Sequence, residues 1–379
     1  MIAVIADDFT GAAELAGIGL RYDLKVELAM SVIRTDADLL VVSADSRSLN
    51  SRMAHKTITK IVKDTLALQP SFIYKKIDSV FRGHVLDEIK IQMQESGLKK
   101  ALIVGGNPSL GRTIIEGKYY LNGDLISGTD FGNDPEFAIT DSSVLKIIKS
   151  TTGDAVVLKH TDELPGTGIV IANVESEEDV KAWANKIDTN WLLAGAGDFF
   201  TALLEKNYKA KAIKVSGAPS PHLYISGTAY NKSQQFVKDI KLKLGCVAYL
   251  SAEMMNTGEI NDETWFKNIK EILSKHKKAV IAINDEDVDP WYVSAVHLRT
   301  TMAEVVKKVL EENEVKEIFI EGGSTAAAIL KELDIGKLDV VNELQRGVVR
   351  MKAGNLFITV KPGSYPLPEE IKRLYTIDI

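Results

Sequence analysis

The run Lys75-Lys76-Ile77-Asp78-Ser79-Val80-Phe81-Arg82-Gly83-His84 gathers ammonium, carboxylate, hydroxyl and guanidinium groups in one short segment. These groups suit a hydroxy acid. A carboxylate accepts the proton of a sugar hydroxyl, a guanidinium clamps a planar carboxylate through two parallel bonds, and a helix N-terminus adds partial positive charge. The same residues also read as an Asp-Ser helix cap with solvated lysines, and the segment alone does not choose. Three other clusters have similar chemistry: Asp7-Asp8-Phe9-Thr10-Gly11-Ala12, Asp45-Ser46-Arg47, and Asn107-Pro108-Ser109-Leu110-Gly111-Arg112. The Asp7-Asp8 pair offers acceptors to hydroxyls or a seat for hydrated Mg²⁺, and reads equally as a helix cap.

The elements that must position these groups are short apolar runs. Ile2–Ala6, Asp38–Ser43, Ser71–Tyr74 and Ala101–Val104 have the length and composition of buried strands. Each ends in one of the polar clusters, and helical spacing fills the intervals. That repetition predicts a parallel α/β sheet with one binding edge. Tyr119–Ile126 reads as a hairpin around Asn122-Gly123. A helix is expected over 142–149 and strands over 155–158, 168–173 and 191–194. The last strand opens into Gly195-Ala196-Gly197-Asp198, which resembles the anion hole and base of ribokinase-like sugar kinases and would make Asp198 the base; it also reads as a glycine turn with an Asp cap.

With 379 residues, 45% hydrophobic and 26% charged, the chain has room for two or three domains with real cores. It has no apolar run of membrane-spanning length and its N-terminus lacks the pattern of a signal peptide, so a cytoplasmic protein without membrane partners is expected. The net charge of −6 argues against nonspecific nucleic-acid binding. Cys246 is the only cysteine, in a strand-like run where a buried, inert thiol is expected. The six histidines form no HExxH pair, and no protein-caged metal is expected.

In the second half, Ser216-Gly217-Ala218-Pro219-Ser220-Pro221 is the best candidate linker. Strand-like runs then lead into Ser226-Gly227-Thr228 and into Gly322-Gly323-Ser324-Thr325, small turns where backbone amides can approach phosphates. Gly347 and Gly354 flank a strand pair, Val348–Met351 and Leu356–Val360, and the chain closes with Lys361-Pro362-Gly363-Ser364-Tyr365-Pro366.

Taken together, the four N-terminal clusters resemble the N-terminal domain of the four-carbon acid sugar kinases. The second-half turns resemble that family's SGS turn, GG-x-T helix start and K-x-G-x-F-G segment. Val80-Phe81 stands where the family usually has Thr-Leu, Tyr365 where it has Phe, and Pro366 where it has Gly. The resemblance implies ATP-dependent phosphorylation, with Mg²⁺ on the ATP, of a threonate, erythronate or 3-oxo-tetronate type substrate. It also implies an α/β chain of two domains: a Rossmann-like sugar-acid domain, 1–215, and a nucleotide-binding domain, 216–379, with a closing cleft between them. Arg47, Lys76 and Arg82 would face the substrate carboxylate or the transferred phosphate. Asp7, Ser79, Asn107 and Arg112 would line the substrate, and Asp78, with Asp8 second, would be the general base. Ser226, Gly227, Gly322, Gly323, Ser324, Thr325, Gly347, Gly354, Lys361, Gly363 and Ser364 would hold the nucleotide. A homodimer stays open. The alternatives are a ribokinase-like kinase using Asp198 and a non-catalytic sugar-acid or nucleotide sensor.

Overall fold

Every residue of β1 (Ile2–Ala6) is buried, as in a strand covered on both faces, and in the computed structural model it lies inside a parallel sheet. The structure describes all residues except 134–136, 189, 212–216, 228–230, 285–292, 364 and 377–379. The chain divides into two units, Met1–Ala212 and Ile213–Ile379.

The first unit continues with α1 (Phe9–Arg21), β2 (Val26–Ala29), β3 (Leu39–Ser43), α2 (Ser51–Ala67), β4 (Ile73–Lys76), α3 (Val85–Ser96) and β5 (Lys100–Val104). A small antiparallel sheet follows: β6 (Arg112–Ile115), β7 (Lys118–Leu121) and β8 (Asp124–Leu125). Then come α4 (Val144–Ile147), β9 (Ala155–Leu158), β10 (Gly168–Ala172), α5 (Glu177–Lys186), β11 (Trp191–Gly195) and α6 (Gly197–Glu205). The main strands pair in the order β2-β3-β1-β4-β11-β5-β10-β9, all parallel. Their C-terminal ends therefore share one edge, where an open α/β sheet binds its ligands.

Strand alternation explains how one segment serves both faces. Tyr74 of β4 packs on Phe199 and Phe200 of α6, while its neighbour Lys75 meets Glu88 of α3. Lys76 turns back to the Tyr74 face, towards Glu14 of α1. Both lysines lie within β4, whereas the expected strand stopped at Tyr74, because buried carboxylates compensate charges that read as strand-breaking. The expected helix over 142–149 is confined to Val144–Ile147, and β2 and β6 were not anticipated. The hairpin at Asn122-Gly123 forms as expected, with both residues at positive φ.

The second unit holds β12 (His222–Ser226), α7 (Asn231–Leu244), β13 (Val247–Tyr249), α8 (Ala252–Thr257), α9 (Glu263–His276), β14 (Lys278–Ala282), α10 (Ala295–Glu312), β15 (Glu317–Glu321), α11 (Gly323–Glu332), β16 (Lys337–Gln345), β17 (Val348–Ala353), β18 (Leu356–Lys361) and α12 (Glu369–Leu374). Strands β13, β14, β12, β15 and β18 are parallel neighbours in that order, and β17 and β16 continue the sheet antiparallel. Cys246 is buried at the entry to β13, where burial raises its thiol pKa. Among the described residues, no helix is long and apolar enough to cross a membrane.

Candidate functional site

In the first unit, the C-terminal ends of β1, β3 and β4 converge on Arg47. Its Nε donates to Asp7 Oδ2 at 2.8 Å, and its Nη2 lies 3.0 Å from Asp8 Oδ1 and 3.4 Å from Asp78 Oδ1. Although burial opposes the charged form, these three carboxylates hold the guanidinium pKa well above its usual value. Burial, partly offset by Arg47, pushes the Asp7 carboxyl up, and its Oδ1 is buried without a hydrogen-bond partner.

Asp8 has two tasks. It caps α1, its Oδ1 accepting from Gly11 N at 2.9 Å, and its Oδ2 accepts from Thr10 Oγ1 at 2.6 Å. Burial would raise its pKa, but Arg47 and Lys76 hold it below the ordinary aspartate value. The capping alternative and the proximity to Arg47 are thus both realised. Lys76 Nζ donates to Ile77 O at 2.8 Å and lies 3.7 Å from Glu14 Oε2.

Asp78 does not cap α3, whose N-cap is His84. A tight turn, with Phe81 at φ +65°, instead returns Arg82 to its carboxylate. Arg82 donates Nε to Oδ2 and Nη2 to Oδ1, both at 2.9 Å, in the bidentate geometry a guanidinium favours. The amides of Val80 and Arg82 also reach Oδ2, at 3.2 and 3.1 Å. Burial opposes ionisation, yet Arg82 and Arg47 hold this carboxyl well below the usual range. Beneath the turn, Lys75 pairs with Glu88 at 2.6 Å, and Glu88 accepts from Ser46 Oγ at 2.6 Å, tying β4 and α3 to the loop that carries Arg47.

Arg112, at the start of β6, donates Nη1 to Ser79 Oγ. It is only 9% exposed, its Nε has no hydrogen-bond partner, and among the described residues no carboxylate pairs with it. Asn107 Oδ1 accepts from Asp198 N at 3.0 Å. The Asp198 carboxylate accepts from Ser109 N at 3.0 Å and from Ser109 Oγ. Asp198 thus fastens the 107–112 loop to α6.

In the second unit, β12, β15 and β18 end side by side. Gly227 packs against Thr325 so closely that a Cβ would lie 2.2 Å from Thr325 Oγ1, and Gly322 has φ +107°, open mainly to glycine. The two glycines let the end of β12 and the turn after β15 close on Thr325, a glycine cradle around the N-terminus of α11, where the first-turn amides of Gly323, Ser324 and Thr325 point along the helix axis. Ser226 is buried at the end of β12 and Ser324 is exposed.

Lys361 is anchored inward. Its Nζ lies 2.6 Å from Glu321 Oε1 and donates to Pro362 O, Gly363 O and Tyr365 O at 2.9, 3.1 and 2.6 Å. Tyr224 and Ser233 donate to the same Glu321 carboxylate. This lysine shapes the loop that follows β18. Gly347 lies beside Tyr365, at the same edge as the cradle. Gly354 does not: it joins β17 to the start of β18, about 20 Å from Lys361 by strand rise. Successive turns of an antiparallel pair fall at opposite ends, so the strand assignments already held that signal. Ser364 lies outside the described residues.

The sequence reading missed Glu14, Ser109 and Phe131. The first two lie near the expected residues, but only the fold brings them to Lys76 and Asp198. Phe131 sits 5.4 Å from Arg82 and 5.9 Å from Arg112, measured from guanidinium carbon to ring centre; no motif marks it. Among the described residues no cluster of three or more His, Cys, Asp or Glu forms a metal cage.

Residues 2–203 match the family model of a sugar-binding N-terminal domain, and residues 223–365 that of a nucleotide-binding C-terminal domain. A D-threonate kinase of Salmonella typhimurium is 24% identical over 365 residues, covering 86% of this chain and 85% of the relative. A 3-oxo-tetronate kinase of Brucella melitensis is 24% identical over 416 residues, covering 96% of this chain and 92% of the relative. The crystal structure of a Haemophilus influenzae protein shares the fold with a TM-score of 0.74 at 17% identity, covering 98% of each chain. With both domain models matched in order along most of its length, the chain belongs to the tetronate, or four-carbon acid sugar, kinase family.

Proposed function

We propose that the protein is an ATP-dependent kinase that phosphorylates a hydroxyl of a four-carbon sugar acid of the threonate, erythronate or 3-oxo-tetronate type. The observation that carries the substrate half is Arg112, a buried guanidinium without a carboxylate partner among the described residues. A buried cation lacking a counter-ion is costly, and a substrate carboxylate supplies the missing charge in the geometry a guanidinium prefers. The kinase names of relatives that cover most of the chain support the reaction class.

Phosphoryl transfer depends on alignment and charge neutralisation. Arg112 and Ser79 take the carboxylate end, and Arg47, held by three aspartates, faces the reacting hydroxyls. Asp8 accepts the hydroxyl proton. Its side chain is 17% exposed against 6% for Asp78, and its Oδ2 has a hydroxyl partner beside it rather than a guanidinium fork. Asp78 holds Arg82 and Arg47 in place. This reverses the order expected from sequence.

The glycine cradle and the first turn of α11 take the nucleotide phosphates. A cavity of about 320 Å³, lined by Tyr224, Phe236 and Tyr365 among others, takes the base. Mg²⁺ bound mainly to ATP phosphates would neutralise charge on the transferred group.

The test is ADP release from ATP and Mg²⁺ across a panel of tetronates and oxo-tetronates. Turnover with at least one four-carbon acid is expected. Binding of an acid and of ATP without ADP release would make the protein a sensor.

A further inference from the structure

We propose that Phe131 is a positioning residue whose ring face holds the Arg82 and Arg112 guanidinium groups in register for the substrate carboxylate. The inference rests on the kinase reading above and adds a residue to its substrate site. Two independently placed cations share this one ring: Arg82 from the turn after β4 and Arg112 from the start of β6, both within cation–π reach.

Their other restraints are unequal. Arg82 is locked by a bidentate pair with Asp78. Arg112 has the Ser79 hydroxyl, and its Nε is without a partner. A guanidinium so lightly held would lose its alignment without a second support, and the aromatic face supplies one while leaving hydrogen-bond donors for a ligand.

The ring is itself held from both sides of its loop. Phe131 O accepts from Ile139 N at 3.0 Å, and Phe131 N donates to Thr129 Oγ1 at 3.4 Å. Its apolar body packs on the core cluster that contains Phe81, Tyr119 and Ile139. A leucine would satisfy that core, but only an aromatic face attracts cations.

The experiment replaces Phe131 with mono-, di- and trifluorophenylalanine, which keep the ring's shape while weakening its negative face, alongside Phe131→Tyr and Phe131→Leu. The readouts are KM for the preferred four-carbon acid, KM for ATP, kcat and Tm. KM for the acid should climb with each fluorine to roughly tenfold at three, the scale of a desolvated cation–π contact. KM for ATP and Tm should stay level, Phe131→Tyr should match wild type, and Phe131→Leu should resemble the most fluorinated variant.

A flat fluorine series in an enzyme that Arg112→Gln impairs would overturn the role of Phe131 and leave the kinase reading standing. A wild-type protein that turns over no four-carbon acid would overturn both. The fluorinated variants decide the matter even if Phe131→Leu fails to fold.

Discussion

Asp8→Asn separates catalysis from architecture at this site. Asparagine is as good an N-cap as aspartate, so the bond to Gly11 N that opens α1 survives the change. Arg47 loses one charged partner and keeps Asp7 at 2.8 Å and Asp78 at 3.4 Å. A single charge-assisted contact is worth about 1.5–3 kcal/mol, equivalent to roughly 2–4 °C in Tm for a chain of this size. Such a loss leaves the protein folded at 25 °C, since domains of this kind carry about 5–15 kcal/mol. Removing the proton acceptor should lower kcat by about 10²–10⁴. ADP release at saturating ATP, with Tm measured in parallel, tests this. Turnover within about threefold of wild type, on a confirmed substrate, would refute Asp8 as the base. Because Arg47 and Lys76 hold the Asp8 carboxyl below its ordinary value against the effect of burial, the base stays ionised down to low pH. The acid limb of kcat/KM is therefore expected below about pH 4, and a limb near pH 6 would point to another group.

Asp78→Asn should behave differently: the amide oxygen can keep the two backbone bonds made at Oδ2, but the charge and the second arm of the bidentate Arg82 pair are lost, costing about 1.5–3 kcal/mol and raising KM for the acid, as urea titration and kinetics would show. In the second unit, Lys361→Met leaves Glu321 as a buried, unpaired charge and should cost about 3–5 kcal/mol; adding Glu321→Gln should recover part of that loss. Burial, with Arg350 and Lys278 nearby, lowers the His222 pKa to about 3. Between about pH 3 and 6.5 the unfolded chain binds the extra proton, so stability rises with pH across that window. Urea unfolding at pH 4.5 and 7.5 should differ by about 2–3 kcal/mol more for wild type than for His222→Phe; equal differences would show that His222 is not the group responsible.

Much of the first unit was legible because parallel strands are short apolar runs and their ends carry the polar groups. Asp7, Asp8, Arg47, Asp78 and Arg112 each follow such a run, and the fold brings the first four into contact around Arg47. What sequence hid was how the charges are divided. Arg82 and Asp78 read as two free functional groups, yet their four-residue spacing closes a turn that makes them one bonded unit. Lys361 read as one of the residues that hold the nucleotide, and only the pairing of β15 with β18 sets it beside Glu321. Gly354 had the composition of a binding turn, but strand direction carries it to the wrong edge. Phe131 could not be found from spacing, because cation–π contacts depend on tertiary placement and leave no periodic trace.

The central claim is that the carboxylate of a four-carbon acid lands on Arg112. Isothermal titration of the preferred acid and of its neutral carboxamide, into wild type and Arg112→Gln, tests it most directly. Losing one partner of a buried, hydrogen-bonded charge pair costs about 2–5 kcal/mol, so the acid should bind Arg112→Gln at least about 30-fold more weakly, while the carboxamide binds both proteins about equally. An acid that binds the two proteins with the same affinity would contradict the account.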